Sequence, residues 1–108
     1  ERHAGRPIHW AAANGQEAIA KLLIARGAEV DAADRSGAQA AHWAAAHGHL
    51  PMLRLLAGRG ANLHGPALSG ARPEHFALAQ GRRAAADFLR AWRPEARHGG
   101  GGGPGRKK

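Results

Sequence analysis

Eight histidines are the first candidates for chemistry in this 108-residue chain, because imidazole can ligate a metal or move a proton near neutral pH. His9, His42 and His75 recur at a constant offset of 33 residues, which places them at equivalent positions of successive units. Packed helices stand about 8–10 Å apart, whereas zinc ligands lie about 2.0–2.1 Å from a shared ion. These three therefore cannot converge on one metal. His47 and His49 flank Gly48 and offer two ligands for a weak site, with no third in the pattern. No metal and no cofactor is expected. Ser36 and Ser69 are the only hydroxyl side chains, each one residue before a glycine; that setting fits turn chemistry and lacks the flanking glycines of a nucleophile elbow. Cys, Thr and Tyr are absent, which removes disulfides, thiolate metal sites and cysteine nucleophiles. The carboxylates are scattered, with no pair set for acid–base work. The expectation is a protein that is not an enzyme.

The elements that carry these residues are short and rich in small side chains. Ala supplies 27 residues and Gly 16, so a core can form only where helix backbones come close. The shortage of β-branched and aromatic residues argues against a sandwich or barrel. No stretch reaches the roughly 18 apolar residues of a membrane span, and no signal-peptide pattern opens the chain. One small domain is the expected organisation. The net charge of +8 is uneven: residues 93–108 hold five cations and one acid.

The segment His9-Trp10-Ala11-Ala12-Ala13-Asn14-Gly15 returns as His42-Trp43-Ala44-Ala45-Ala46-His47-Gly48, and again, more loosely, as His75-Phe76-Ala77-Leu78-Ala79-Gln80-Gly81. A composite pattern at one fixed period is the mark of a repeat architecture. Each unit predicts two helices. The first spans about 7–14, 40–47 and 73–80, with Pro7 and Pro73 suited to a first turn and Gly15, Gly48 and Gly81 suited to a C-terminus. The second spans about 17–25, 50–58 and 83–91. Its apolar positions Ile19, Leu22 and Leu23, matched by Met52, Leu55 and Leu56, form an i, i+3, i+4 stripe expected to face the core. Asp34-Arg35-Ser36-Gly37 reads as a turn into the next unit. Trp10, Trp43 and Phe76 make an aromatic stripe that packs between first helices and offers its edges to a groove. Trp92 is expected to cover the end of the last helix. Beyond it, Pro94, the glycines 99–103 and Arg106-Lys107-Lys108 predict a disordered tail.

A 33-residue helix-turn-helix unit with His, Ala-Ala, Gly, Leu-Leu and Gly-Ala at these offsets resembles the ankyrin repeat, over residues 1–93. The resemblance implies an all-α solenoid of stacked helix pairs with projecting β-turns, in repeats 1–33, 34–66 and 67–93, followed by the tail 94–108. Where the family has Thr-Pro-Leu-His, this chain has Arg6-Pro7-Ile8-His9, Gln39-Ala40-Ala41-His42 and Arg72-Pro73-Glu74-His75. Losing the capping Thr costs about 1 kcal/mol per helix on general grounds. Glu74 and Arg90 stand where the first repeat has Ile8 and Ile24, as a C-terminal capping repeat requires. The first repeat shows no such polar face, which predicts that further repeats preceded Glu1 and that an apolar edge is exposed.

The resemblance also implies the role, non-catalytic binding of another protein as an adaptor, scaffold or inhibitor, and the contacts, which come from turn tips and the exposed face of first helices. Those positions are Arg2, His3, Gly5, Ala13 and Asn14; Arg35, Ser36, Ala38, Ala46 and His47; and Leu68, Ser69, Ala71, Ala79 and Gln80. His9, Trp10, Gly15, His42, Trp43, Gly48, His75, Phe76 and Gly81 are the structural positions, with the histidines bonding backbone near the turns. A monomer in the cytoplasm or nucleus is implied. The alternative is salt-sensitive binding of nucleic acid or an anionic surface through the basic tail, although no aromatic residue is interleaved there to stack on bases.

Overall fold

The computed structural model describes residues 6–93, which form six α-helices in three pairs. The first helices are α1 (Pro7–Ala13), α3 (Ala40–Ala46) and α5 (Pro73–Ala79); the second helices are α2 (Glu17–Ala25), α4 (Leu50–Gly58) and α6 (Arg83–Ala91). Among the described residues there is no strand, and no helix is long and apolar enough to cross a membrane. The predicted boundaries agree to within one residue, because a single glycine marks each short link. The tail and residues 1–5 lie outside the described residues.

Each first helix starts from an extended residue, Arg6, Gln39 or Arg72, whose side chain makes no capping bond. The missing Thr is partly offset from the other side. Three residues on, the Nδ1 of His9, His42 and His75 accepts the backbone N–H of Arg6, Gln39 and Arg72 at 2.7, 2.9 and 2.9 Å. One orphan donor of the helix entrance is thereby satisfied, which is half of a capping box.

First helices pack directly on one another, while second helices touch their neighbours much less. The stack therefore curves, with first helices on the inner side and second helices outside. Alanine permits this close inner contact: Ala11, Ala12, Ala40, Ala41, Ala44, Ala45 and Ala77 are all buried, leaving no room for a larger side chain. The bulk of the core comes from Ile8, Met52, Leu53, Leu56, Leu63 and Leu89.

The predicted core stripe needs correction. In α4 the buried residues are Met52, Leu53 and Leu56, with Leu55 only half-buried, and in α2 Ile19 and Leu22 are 41% and 52% exposed while Ala20 is buried. Met52 and Ile19 share a register position, and Met52 is covered by the preceding unit. The buried face is turned from the predicted stripe toward the position of Ala20, Leu53 and Ala86, all fully buried, and away from that of Leu22 and Leu55.

Two glycines are fixed by contacts as well as by conformation. Gly15 and Gly48 have φ of +66° and +70°, and a Cβ there would lie 3.0 Å from the His49 ring and 2.9 Å from Arg82 Cδ. His49 sits over Gly15 to reach the Ala13 carbonyl with Nε2 (2.9 Å), and Arg82 sits over Gly48 to donate Nε–H to the Ala46 carbonyl (3.2 Å). The entrances of α4 and α6 are thus stitched back to the first helix of the preceding unit.

Candidate partner-binding surface

The turn 34–38 is built around one carboxylate. Asp34 Oδ1 accepts from Ser36 N (2.9 Å), Ser36 Oγ (2.7 Å) and Ala38 N (3.0 Å), while Oδ2 accepts from Trp43 Nε1 (2.9 Å). Partial burial works to raise the Asp34 pKa, but the hydrogen bonds from Ser36, Ala38 and Trp43 together outweigh it and hold the carboxyl below its ordinary value. In the third unit Ala67 replaces Asp34 and Phe76 replaces Trp43, so acceptor and donor are lost together and neither is left unpaired. That turn is closed by Ala67 N–H to Ala71 O and Gly70 N–H to Ala67 O, both 2.8 Å.

The two turns are joined. Leu68 N–H donates to Ser36 O at 2.9 Å. Gly37, at φ +80°, makes this approach possible, since a Cβ there would stand 2.6 Å from Leu68 N. Leu68 and Arg35 occupy the same register position on neighbouring tips, and Leu68 is 80% exposed. A large apolar side chain is therefore held out in solvent on a braced support beside an exposed arginine.

The histidines of the repeat act on backbone. His9 Nε2 lies 2.7 Å from the Ala32 carbonyl and His42 Nε2 lies 3.2 Å from the Ala71 carbonyl, so each ring bridges its own helix entrance and the approach to the following turn. Burial pushes the His42 pKa down, against the Ala71 and Gly65 carbonyls and the Asp34 charge, which favour the protonated ring. His75 keeps only its helix-entrance bond and is exposed. His47 and His49 stack at 5.9 Å, but His49 is committed to Ala13. No cluster of metal-ligating side chains forms among the described residues.

Of the predicted contact residues, Asn14, Arg35, Ser36, His47, Leu68, Ser69, Ala79 and Gln80 are exposed, and Ala13, Ala46 and Ala71 are half-buried. Ala38 is 1% exposed and supports its turn from within, so it is removed from the set. Arg2, His3 and Gly5 lie outside the described residues, as does the tail proposed for nucleic acid. Asn14 Nδ2 donates to the Trp10 carbonyl at 2.9 Å, which ties it to its own helix end. Trp10 is 57% exposed, whereas Trp43 and Phe76 are half-buried. Trp92 packs its ring 5.1 Å from His64, whose Nε2 reaches the Trp92 carbonyl at 3.0 Å.

Sequence reasoning missed the stitching role of His49 and Arg82. The available signal was the register: Gln16, His49 and Arg82 are all long polar residues directly after the link glycine. It also missed Leu78, which is 42% exposed where Ala12 and Ala45 are fully buried.

Comparison with known proteins agrees with this architecture. A family model described as ankyrin repeats, in three copies, matches residues 8–97. The crystal structure of the human ASB11 ankyrin repeat domain superposes with a TM-score of 0.73 at 32% identity, over 79% of this chain and 38% of that one. This chain thus spans well under half the length of that domain. No curated protein matches it. With three helix pairs in one register and a family match over most of its length, the chain belongs to the ankyrin repeat family.

Proposed function

We propose that this chain binds another protein, without catalysis, through its turn tips and the inner face of its first helices, as an adaptor, scaffold or inhibitor. Ankyrin repeats are generally protein–protein interaction modules. The observation that carries the reading for this chain is Leu68, 80% exposed on a turn braced by its bond to Ser36. An apolar side chain held on a rigid support loses little conformational freedom on binding, which lowers the cost of association. Arg35 and Ser36 on the neighbouring tip and Ser69 next in sequence, all exposed, supply polar groups beside it.

The test is site-specific photocrosslinking in nuclease-treated lysate, with the crosslinker at position 36, 68 or 80 and a control at Ala84 on the outer side. One discrete protein captured from the three inner positions and not from position 84 is the expected result. Leu68→Glu should then weaken binding of that protein at least tenfold, a hot-spot effect above about 1 kcal/mol. Equal capture from position 84, or indifference to Leu68→Glu, would overturn the reading.

A further inference from the structure

The cations of the folded segment are divided unevenly between its two sides. The second helices with their C-terminal caps, residues 17–26, 50–59 and 83–92, together with the adjoining Arg93, carry seven cations, Lys21, Arg26, Arg54, Arg59, Arg83, Arg90 and Arg93, against two acids, Glu17 and Asp87. The rest of residues 6–93 holds four cations and four acids. All of the net charge of this segment therefore sits on the outer helices, and all seven cations are exposed.

Intrahelical roles explain part of the set. Arg26 and Arg59 cap α2 and α4, where a cation complements the helix dipole. The Arg54 guanidinium lies 5.8 Å from the Phe88 ring centroid, and Arg93 donates to the Arg90 and Trp92 carbonyls. None of these roles consumes the charge, and none applies to Lys21 or Arg83. Register sets Lys21 beside Arg54 and Arg26 beside Arg59 on adjacent units, giving two rows of cations spaced on the order of 10 Å.

We infer that this outer face is a second binding surface, for the phosphate backbone of duplex nucleic acid. The chemistry around the cations chooses the occupant. Between them the outward positions hold Ala18, Ala25, Pro51, Gly58, Ala84 and Ala91. The charge of this face complements the phosphate backbone of a duplex whatever its sequence. The aromatic residues near the cations, Phe88 and Trp92, are half-buried, with Arg54 over one ring and His64 against the other, so they do not form the row of open rings on which single-stranded bases stack. The exposed large apolar side chains of this face, Ile19 and Leu22, are confined to α2, too few for the continuous apolar stripe that enters a bilayer. A curved, rigid, basic ridge suits the evenly charged duplex surface. This surface is separate from the turn tips, so two partners can be held at once.

The test is fluorescence anisotropy of the full chain with a labelled 24-base-pair DNA duplex of arbitrary sequence, titrated between 50 and 200 mM NaCl. The outer-face variant Lys21→Gln/Arg26→Gln/Arg59→Gln/Arg83→Gln should flatten the plot of log affinity against log salt by about 3.6, at about 0.9 per lost phosphate contact. The milder Lys21→Gln/Arg83→Gln should flatten it by about 1.8, and circular dichroism checks that both stay helical. The tail variant Arg97→Gln/Arg106→Gln/Lys107→Gln/Lys108→Gln should keep most of the affinity. An unchanged slope in both outer-face variants, or complete loss in the tail variant, would overturn the inference. So would binding to vesicles containing phosphatidylserine with none to the duplex. Photocrosslinking from position 68 is expected to be the same in all these variants, which separates this surface from the turn tips.

Discussion

The two ends of the stack are built from the same pattern and meet solvent differently. On the side of the first unit, the register positions of Pro7, Ile19 and Leu22 are exposed, whereas the middle unit covers theirs, with Ala40 and Met52 fully buried. A groove of about 300 Å³ lies there against Pro7, Ile8, Leu23 and Ala28, rimmed by Arg6 and Glu29. On the side of the third unit, Glu74 and Arg90 stand at positions that are apolar in the units before, and His75 is exposed where His9 and His42 are buried. Leu78 interrupts that polar end. One end is thus apolar and the other mixed, although the helices match residue for residue. Burial in a stack is a property of the neighbour: the sequence pattern sets which side chains point along the stack, and the adjoining unit decides whether they count as core.

The largest separation between equivalent positions should come from leucines of the second helices. Leu56→Ala removes a fully buried side chain and should cost about 2–5 kcal/mol in urea unfolding. Leu23→Ala, at the same register position in the first unit but only half-buried, should cost clearly less than Leu56→Ala. Equal effects would dissolve the contrast between middle and end.

A smaller effect should distinguish the joined turn from the free one. Gly37→Ala forces a Cβ against Leu68 N at 2.6 Å, whereas a Cβ at Gly70, also at positive φ, meets nothing within 4 Å. Both substitutions carry the left-handed penalty of about 1–2 kcal/mol, and only Gly37→Ala should add the cost of parting the turns. The check is thermal unfolding of both variants, with hydrogen exchange at the Leu68 amide.

The smallest effect is the pH dependence from His42. Its pKa in the folded chain is lowered from the ordinary 6.5, so on acidification the unfolded chain takes up this proton first. Its stabilisation is therefore complete above about pH 6.5 and is lost as pH falls through that value to the folded pKa. Urea midpoints measured between pH 7 and pH 5 should fall less steeply in His42→Gln than in the parent. A steeper slope in His42→Gln would reverse the assignment.

The repeat length, the six helices and their ends were legible in the sequence, because a 33-residue offset with glycine at each link is a local signal. The turn at Asp34 was legible for the same reason. The exposure of Ile19 and Leu22 was not, since periodicity reports a shared face and says nothing of what lies against it. Leu53 was passed over in favour of Leu55 because an i, i+3, i+4 template fits both. Ala38 was placed at a turn tip by analogy, yet its N–H points at Asp34 and its side chain lies inside. His49 and Arg82 were invisible as stitches, because their partners Ala13 and Ala46 lie 36 residues away and are backbone atoms.

Those stitches constrain how such a chain can change in length. The links between paired helices are three residues each, and the last residue of a link must land on the carbonyl that ends the helix one unit before. A single residue added to the link at 47–49 would carry His49 past Ala13 and leave Gly15 uncovered. The same insertion at the tip 68–70 leaves every stitch in place, because backbone bonds close that turn from below. Growth by whole units or by longer tips is open to this architecture, and growth by one residue in a link is not.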